Sequence, residues 1–185
     1  MKIQGSKLQR EIVAKGMTPL QLAEAIAEPG LPVQDALRAV NNWLDGRDHP
    51  RCKAPTIRKM AGHLSLRPVD ICKFTCQLRH HRGSPRKAKL LIDLIRGKDV
   101  LQAQNLLTFT PKRAALNIKR CLLAAVTEAE LAEADTTRLF VAESRVDNGP
   151  VIKRFQPKDR GRAHSIHKPF AHITISVEER PSSKA

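Results

Sequence analysis

Residues 147–172 are the part of the chain that most restricts its fold, because they cannot build a hydrophobic core. The segment contains six Lys or Arg, two Asp, three His and three Pro. Its few apolar side chains cannot offset the conformational entropy lost when it is ordered alone. A stretch of this length inside a compact domain is either functional or disordered. As a hairpin, each arm would reach roughly 40 Å at about 3.3 Å per residue, and its charge predicts an anionic partner.

Strand patterns flank this segment on both sides. Residues 138–146 begin with three β-forming residues, and residues 172–178 alternate strictly between polar and apolar side chains. Such alternation is typical of a strand with one buried face. Residues 75–81 are expected to add an edge strand. Together these patterns predict an antiparallel sheet that carries a long basic β-hairpin.

Three helices are predicted between the first two strand patterns. Ser84 is expected to cap the first helix, which Gly97 ends, and Asp99 is expected to cap the second. The pair Thr110-Pro111 is expected to open the third, which closes in an acidic, Ala-rich stretch. Three helices and an antiparallel sheet give an α+β domain.

The first half of the chain reads as a separate all-α domain, so that residues 1–75 and 76–185 are predicted to form two domains. Its apolar residues recur at helical spacing between Pro, Gly and capping residues. Thr18 and Gln21 predict a capping box, with Pro19 at the first helical position. The expected helix starts are Ser6, Thr18, Pro32, Pro55 or Thr56, and Pro68, and the expected stops include Gly16, Pro29-Gly30 and Gly46.

The net charge predicts a polyanionic partner. Thirty-three Lys and Arg face eighteen Asp and Glu, which gives a net charge of +15 and a pI near 10.3. A protein this basic repels itself unless a polyanion such as nucleic acid neutralises it. A membrane is not expected, because there is no basic amphipathic helix with bulky apolar anchors and no apolar run of roughly 18 residues. Residues 1–16 lack the apolar region of a secretory signal, so we expect the chain to stay inside the cell.

The sequence predicts no metal site, no cofactor and no active site. Cys72, Cys76 and His80 recur at four-residue intervals, and Cys52 could supply a fourth ligand, but the paired short spacings of zinc sites are missing. The four cysteines are expected to be free thiols. The chain has no glycine-rich phosphate loop, nucleophile elbow or HExxH motif, so an enzyme is not expected.

Short sequence blocks follow one another in a fixed order through the second half of the chain. They are Ser84-Pro85-Arg86-Lys87-Ala88, Asp93-Leu94-Ile95-Arg96-Gly97-Lys98, Phe109-Thr110-Pro111-Lys112-Arg113-Ala114-Ala115, Asp147-Asn148-Gly149-Pro150, Lys153-Arg154-Phe155, Gly161-Arg162-Ala163 and His172-Ile173-Thr174. Over residues 76–180 this ordered set resembles the bacterial-type large-subunit ribosomal proteins of the universal family numbered twenty-two. The family pattern is not followed everywhere: residues 127–130 lack the usual Asn, and Asp159 replaces a small or basic residue.

The resemblance implies a structural constituent of the large ribosomal subunit that binds ribosomal RNA. Its globular part would lie on the outer surface near the exit of the peptide tunnel, and its hairpin would line that tunnel. The implied neighbours are ribosomal protein four, at the tunnel constriction, and the nascent peptide. The implied location is the cytoplasm, with an organellar ribosome as the less favoured alternative.

Binding to RNA is expected to depend on shape and phosphate contacts rather than on base edges. Phe155 and Phe170 either stack on bases or pack the base of the hairpin. His164 and His167 have no Cys or carboxylate pair beside them and are interpreted as surface or RNA-facing residues. The expected RNA-binding residues are Arg79, Arg82, Ser84, Arg86, Lys87, Arg96, Lys98, Lys153, Arg154, Lys158, Arg160, Gly161, Arg162, Lys168 and His172.

Residues 6–72 resemble the helix-turn-helix domains of Cro and the phage repressors. The resemblance is carried by Lys15-Gly16-Met17-Thr18, Leu22-Ala23, Trp43-Leu44-Asp45-Gly46, Ile57-Arg58-Lys59-Met60-Ala61 and Leu64. The candidate recognition helix begins with Val33, Gln34 and Asp35, and Arg38 is its one basic residue. Phosphate attraction is the main source of DNA affinity, so we expect a reused helical scaffold on a larger assembly and no sequence-specific DNA binding. A transcription regulator is the alternative.

Overall fold

The computed structural model describes residues 1–27 and 32–180, which form two compact units. The N-terminal unit comprises Met1–Phe74 together with Glu128–Ala134, and the C-terminal unit comprises Thr75–Thr127 together with the described residues from Asp135 onward. Glu128–Ala134 joins a unit whose other residues are far away in sequence, and no local pattern indicates this grouping. The helix stop expected at Pro29-Gly30 lies outside the described residues.

Short helices and one strand pair build the described part of the N-terminal unit. Strand β1 pairs antiparallel with the first residues of β2, so that Ile3 lies opposite Cys72. The elements are β1 (Lys2–Ile3), α1 (Gly5–Ala14), α2 (Pro19–Ile26), α3 (Val33–Leu44), α4 (Ala54–His63), α5 (Pro68–Ile71) and β2 (Cys72–Arg82).

Local capping chemistry explains where one of these helices begins and where two others end. The amide of Gln21 donates to the hydroxyl of Thr18, and the side chain of Gln21 accepts from the amide of Thr18, which confirms the capping box at α2. Gly16 and Gly46 adopt φ values of +63° and +78° directly after α1 and α3. Glycine takes this left-handed conformation without a steric penalty, so both predicted stops are confirmed.

Two of the expected helix starts in the N-terminal unit are wrong, those of α1 and α4, and α4 begins at Ala54 rather than at Pro55 or Thr56. Ser6 does not cap α1, which starts one residue earlier at Gly5 and has Gln4 at its N-cap position. A β-carbon on Gly5 would lie 2.3 Å from the carbonyl oxygen of Trp43, so the helix begins at the close approach that only glycine permits. The fifth helix is a single turn of four residues, because the chain enters strand β2 at Cys72.

Trp43 fixes the connection between α3 and α4. Its indole is 5% exposed, and its Nε1 donates a hydrogen bond of 2.7 Å to the carbonyl oxygen of Pro50. Asn42 Nδ2 donates to the carbonyl oxygen of His49 at 2.9 Å, and the amide of Cys52 donates to the carboxylate of Asp48 at 3.3 Å. These bonds hold the backbone between the two helices in one conformation.

The C-terminal unit combines helices with an antiparallel hairpin, and the mixed helix and antiparallel-sheet architecture expected from the sequence is confirmed. Within this unit the strand order is β2-β4-β3, and β3 and β4 run antiparallel. Side chains of the helices and of the sheet form the core, among them Ile92, Ile118, Leu122, Val141 and Ile173, all of which are buried. The elements are α6 (Pro85–Ile95), α7 (Val100–Phe109), α8 (Arg113–Glu130), β3 (Leu139–Pro157) and β4 (Ala163–Glu179).

The two hairpin strands are much longer than their sequence patterns indicate. They pair from Leu139 opposite Glu179 as far as Pro157 opposite Ala163, with register shifts at residues 141/143 and 148/151. At the second shift a β-carbon on Gly149 would lie 3.0 Å from the β-carbon of Phe170. Glycine therefore permits the strands to approach each other at this irregularity.

Strand β4 departs from the half-buried strand that was expected. Its polar residues Thr174 and Ser176 are buried together with the apolar ones. The hydroxyl of Ser176 lies 2.9 Å from that of Thr75, within hydrogen-bond distance. Longer side chains of the neighbouring strand flank these small residues, with Glu143 opposite Ser176 and Arg145 opposite Thr174. The polar positions of β4 are therefore small hydroxyl residues covered by their neighbours and not a solvent-facing side.

Two of the three expected helix starts in the C-terminal unit agree with the structure in position, but neither has the expected side-chain cap. Ser84 and Asp99 occupy the N-cap positions of α6 and α7, yet neither side chain caps its helix. The carboxylate of Asp99 instead pairs with Arg180 at 2.9 Å. The third helix starts at Arg113 rather than at Thr110-Pro111, because the hydroxyl of Thr110 donates back to the carbonyl oxygen of Leu106 at 2.6 Å.

Candidate nucleic-acid interface

Residues 147–172, termed the hairpin arm, present cations on both faces of a two-stranded ribbon. Residues opposite each other in an antiparallel pair lie on the same face. Lys153 lies opposite His167 on one face, and Lys168 lies opposite Ile152 on the other. All six of the arm's Lys and Arg are exposed: Lys153, Arg154, Lys158, Arg160, Arg162 and Lys168.

The arm has almost no apolar packing of its own. Ile152 and Ile166 are half-buried diagonal neighbours on one face, and between them lies the exposed Arg154. A ribbon with so few apolar contacts gains little stability from burial. Its order therefore depends on backbone hydrogen bonds and on whatever anion its side chains bind.

The two phenylalanines of the arm have different environments. Phe155 is 75% exposed near the end of the arm. Phe170 is half-buried, with its ring centroid 6.3 Å from that of His80 in an edge-on arrangement. Phe170 therefore packs at the base of the arm, and Phe155 is the ring available for stacking on a base.

The tip of the arm is closed by residues 158–162. The amide of Lys158 donates to the carbonyl oxygen of Arg162 at 2.7 Å, and Arg160 and Gly161 adopt positive φ. The carboxylate of Asp159 lies 3.9 Å from the guanidinium of Arg160, and both side chains are largely exposed. An exposed pair at this distance contributes little, so Arg160 remains available to an external anion.

A cleft at the start of α6, termed the α6 cleft, forms a second basic surface. Its volume is about 670 Å³. The expected site residues Arg82, Ser84 and Lys87 line it together with residues that were not expected: His81, Gly83, Leu90, Lys112, Arg113 and Ala114. Lys112 and Arg113 belong to one of the sequence blocks noted above, but only the fold brings them beside Lys87. The floor is apolar and four cations surround it, an arrangement that suits a sugar-phosphate chain.

His81 is the buried polar group of the α6 cleft. It is 6% exposed, and its Nδ1 lies 3.0 Å from the side-chain nitrogen of Asn117. A β-carbon on Gly83 would lie 2.9 Å from His81 Nε2. Burial, together with the nearby charge of Arg113, lowers the pKa of His81 below its ordinary value of 6.5. His81 is therefore neutral near pH 7, and the positive charge of the cleft comes from its Lys and Arg.

Acidification below about pH 6.5 is expected to destabilise the C-terminal unit through His81. The unfolded chain binds the proton more readily than the folded one, so stability is present above the ordinary pKa and is lost as pH falls through it. The urea midpoint, followed by NMR signals of buried methyl groups in this unit, should fall more in the unaltered protein than in His81→Gln between pH 7.5 and 5.5. Equal falls in the two proteins would show that His81 is not responsible.

Some of the expected RNA-binding residues are engaged inside the protein. The guanidinium of Arg96 donates to the carbonyl oxygen of Ser144 at 2.7 Å and pairs with Asp93 at 2.9 Å. Nδ1 of His172 accepts a 3.1 Å hydrogen bond from the amide of His80. Arg96 and His172 therefore make contacts that stabilise the fold. Among the other expected residues of this region, Arg79, Arg82, Arg86 and Lys87 are exposed, and Lys98 is half-buried.

The cysteines are free thiols in the structure. Burial raises the pKa of both Cys52 and Cys72 to about 12, so these thiols stay protonated at neutral pH. Among residues 1–27 and 32–180, no group of three or more His, Cys, Asp or Glu is arranged to hold a metal ion. No helix in the same part of the chain is long and apolar enough to cross a membrane.

Comparison with known proteins gives one consistent result. The large ribosomal subunit protein uL22 of Syntrophotalea carbinolica is 46% identical over 105 residues, which cover 56% of this chain and 96% of that protein. The uL22 proteins of Clostridium acetobutylicum and Caldicellulosiruptor saccharolyticus are 48% and 40% identical over 55% and 60% of this chain, and 93% of each relative is covered.

The matched segment coincides with the part of the chain that bears both basic surfaces. It contains the hairpin arm, the α6 cleft and the strands and helices that position them, and it leaves out the first 75 residues. Residues 76–178 match the family described as ribosomal protein L22p/L17e, and the chain belongs to that family.

Proposed function

We propose that the hairpin arm lines the peptide exit tunnel of the large ribosomal subunit, with the globular part of the C-terminal unit on the outer surface near the tunnel exit. The chain is a structural constituent of the large ribosomal subunit that binds ribosomal RNA, and it is not an enzyme. Its relatives are bacterial, and its location is the ribosome in the cytoplasm. The proposed neighbours of the arm are ribosomal protein four and the nascent peptide.

The observation that supports this proposal is the exposure of cations on both faces of the arm. A surface helix or loop that rests on RNA needs positive charge on one side only. Lys153 and Lys168 point to opposite sides of the ribbon, and neither has an ion-pair partner among the described residues. A ribbon charged on both sides fits between two polyanionic walls, as it would between RNA segments.

The tip gives this proposal a direct test. A photoreactive phenylalanine analogue in place of Arg160 is expected to cross-link to a nascent peptide in stalled ribosomes, because residues 158–162 would reach the tunnel interior. The same analogue in place of Leu101, which is 65% exposed on α7, is the control and should capture no nascent peptide. Adducts from position 101 alone, or from neither position, would argue against the tunnel placement.

The α6 cleft is proposed to hold one phosphate segment of ribosomal RNA. The start of α6 lies at the same cleft as Arg82, Lys112 and Arg113, because Ser84 and Lys87 line it. Pro85 has no amide hydrogen, and the amide of Lys87 donates to the carbonyl oxygen of Ser84 at 3.1 Å, so the phosphate contacts would come from the four basic side chains. Arg would contact phosphate as a fork and Lys as a point charge.

Lys87→Glu is expected to weaken ribosomal RNA binding about five- to eight-fold at 0.1 M salt and to lower the salt slope by about 0.7 to 0.9, the loss of one phosphate contact. Lys89→Glu is the matched control, since Lys89 is exposed on the same helix but does not line the cleft. Filter binding between 50 and 200 mM salt measures both. An unchanged slope in Lys87→Glu would exclude Lys87 from phosphate binding.

The N-terminal unit is proposed to be a helix-turn-helix-like scaffold that does not read DNA sequence. Arg38, the one basic residue of α3, pairs with Asp35 at 3.3 Å on the helix surface. Gln34 and Asp35, at the exposed start of α3, occupy the part of the helix that would enter a groove. A carboxylate there repels the DNA backbone, and the arginine beside it is already paired.

A further inference from the structure

We propose that residues 47–59, termed the basic loop, form a third RNA-binding surface, which binds the phosphate backbone of ribosomal RNA from the N-terminal unit. The loop connects α3 to α4 and includes the first turns of α4. The proposal takes its ligand class from the proposed function, but it concerns a part of the chain outside the matched family segment.

The positive charge of the N-terminal unit is concentrated in this loop. Residues 47–59 contain five Lys and Arg and one Asp, whereas the remaining residues of the unit contain seven Lys and Arg and nine Asp and Glu. The loop is thus positive while the rest of the unit is slightly negative. An approaching polyanion is drawn to the loop and repelled elsewhere.

Four of the five cations of the basic loop are exposed and have no partner among the described residues. Arg47, Arg51, Lys53 and Arg58 are all exposed, and their side chains form no ion pair or hydrogen bond with the described residues. Asp48, the loop's one carboxylate, already lies 3.8 Å from Lys2 and accepts the amide of Cys52. It therefore does little to neutralise the arginines on either side of it.

The loop backbone is held in place before any ligand binds. The hydrogen bonds from Trp43 to Pro50 and from Asn42 to His49, at 2.7 and 2.9 Å, fasten the middle of the loop to α3. Cys52 is 3% exposed and anchors the loop at the start of α4. A surface that is already ordered loses less conformational entropy when it binds.

The loop itself lacks the exposed apolar side chains of a protein or membrane interface. Between residues 34 and 89 no large hydrophobic side chain is exposed, whereas protein interfaces are centred on buried aromatic and apolar anchors. Membrane-surface helices need such anchors as well. Exposed arginine and lysine without apolar neighbours bind phosphate groups, and contacts of that kind carry no sequence information.

RNA rather than DNA is the favoured ligand because the two parts of the chain are covalently linked. Once the C-terminal unit is bound to ribosomal RNA, neighbouring phosphates are present at high effective concentration. Loose contacts from a few cations then suffice. A free DNA duplex has no such advantage and would have to be recognised through α3, whose exposed start carries Asp35.

The test compares two charge-reversed double variants of the full chain. Arg47→Glu with Arg51→Glu removes two cations of the basic loop. Arg10→Glu with Arg38→Glu makes the same charge change at two exposed positions elsewhere in the unit. Binding of full-length large-subunit ribosomal RNA is measured between 50 and 200 mM salt. Trp43 is the single tryptophan, so its fluorescence reports whether the loop keeps its fold in each variant.

The loop variant is expected to bind ribosomal RNA roughly 25- to 60-fold more weakly at 0.1 M salt, with a salt slope lower by about 1.4 to 1.8, as two lost phosphate contacts require. The control variant should stay within about two-fold. The proposal is overturned if the loop variant binds like the unaltered protein, or if both variants lose equally. It is also overturned if the loop variant binds naked RNA normally but assembles poorly into subunits, since a protein would then be the partner.

Two further measurements separate this proposal from the proposed function. If the unaltered chain fails to bind ribosomal RNA, the proposed function itself fails. If it binds and a hairpin-arm variant loses affinity while the loop variant does not, only the basic loop proposal fails. Selection from a random DNA pool with the full chain should enrich no motif, and recovery of one tightly bound motif would make α3 a DNA reader and overturn the assignment of this unit to RNA.

Discussion

Replacing Lys153, Arg154 and Arg162 by Glu is expected to weaken ribosomal RNA binding by about a hundred- to five-hundred-fold at 0.1 M salt. Each phosphate contact contributes about 0.7 to 0.9 to the salt slope, so three lost contacts lower it by about 2 to 3. All three side chains are exposed on the hairpin arm, and none supports the core of the C-terminal unit. The variant should therefore remain folded while it loses affinity.

The matching neutral variant, with Gln at the same three positions, separates attraction from repulsion. It should lose the same salt slope, because the same contacts are gone, but it should bind more tightly than the Glu variant at low salt. Filter binding across a salt series measures both quantities, and circular dichroism checks the fold. If the Glu variant kept the full slope, the arm would not be neutralising RNA phosphates.

Trp43→Ala is expected to lower the free energy of unfolding of the N-terminal unit by about 3–5 kcal/mol, the usual cost of truncating a buried aromatic side chain. The indole is almost fully buried, and its Nε1 is bonded to the carbonyl oxygen of Pro50. The change therefore removes core packing and also releases the loop between α3 and α4.

Trp43→Phe separates the loss of core packing from the loss of the hydrogen bond that holds the loop. The phenyl ring keeps most of the packing but has no donor, so the hydrogen bond to the carbonyl oxygen of Pro50 is lost. Because Pro50 is exposed, this loss should cost about 0.5–1.5 kcal/mol, the net contribution of a typical hydrogen bond. Urea unfolding should be followed by NMR signals of Ile57 and Leu64, which are buried in this unit. A loss below about 1 kcal/mol in Trp43→Ala would mean that the indole does not hold the unit together.

Local chemistry allowed several elements to be predicted from the sequence. Thr18 and Gln21, three residues apart, form the two hydrogen bonds of a capping box. Gly16, Gly46 and Gly97 adopt positive φ where helices end. These signals need no knowledge of the rest of the fold, because both partners lie in one turn. The order of the sequence blocks in the second half of the chain indicated the protein family, and the comparison confirms this family over residues 76–178.

Other features depend on contacts between distant residues and could not be predicted from the sequence. The strands of the hairpin arm have no alternating pattern beyond residue 146, so the hairpin was expected from its charge and from the family resemblance, while the register of its strands could not be predicted. The burial of Thr174 and Ser176 depends on side chains of neighbouring strands, such as Arg145 opposite Thr174 and Glu143 opposite Ser176. Lys112 and Arg113 reach the α6 cleft only because the start of α8 lies beside that of α6.

The basic loop is a further feature that could be predicted only in part from the sequence. Its charge is visible in the sequence, but a run of basic residues usually marks a solvated surface. The bonds from Trp43 and Asn42 that make the loop rigid join residues on either side of a turn. Without them the loop would be a flexible connection, and its arginines would have no fixed arrangement.

The close contact between Gly83 and His81 links three positions of the α6 cleft in evolution. A side chain at position 83 would strike the imidazole 2.9 Å from its β-carbon, and the imidazole is bonded in turn to Asn117. A lineage can therefore acquire a larger residue at position 83 only after position 81 has become smaller or has turned away, and position 117 is then released to change. Among relatives, we expect a change at position 81 to come before a larger residue at position 83, and changes at position 117 to accompany them.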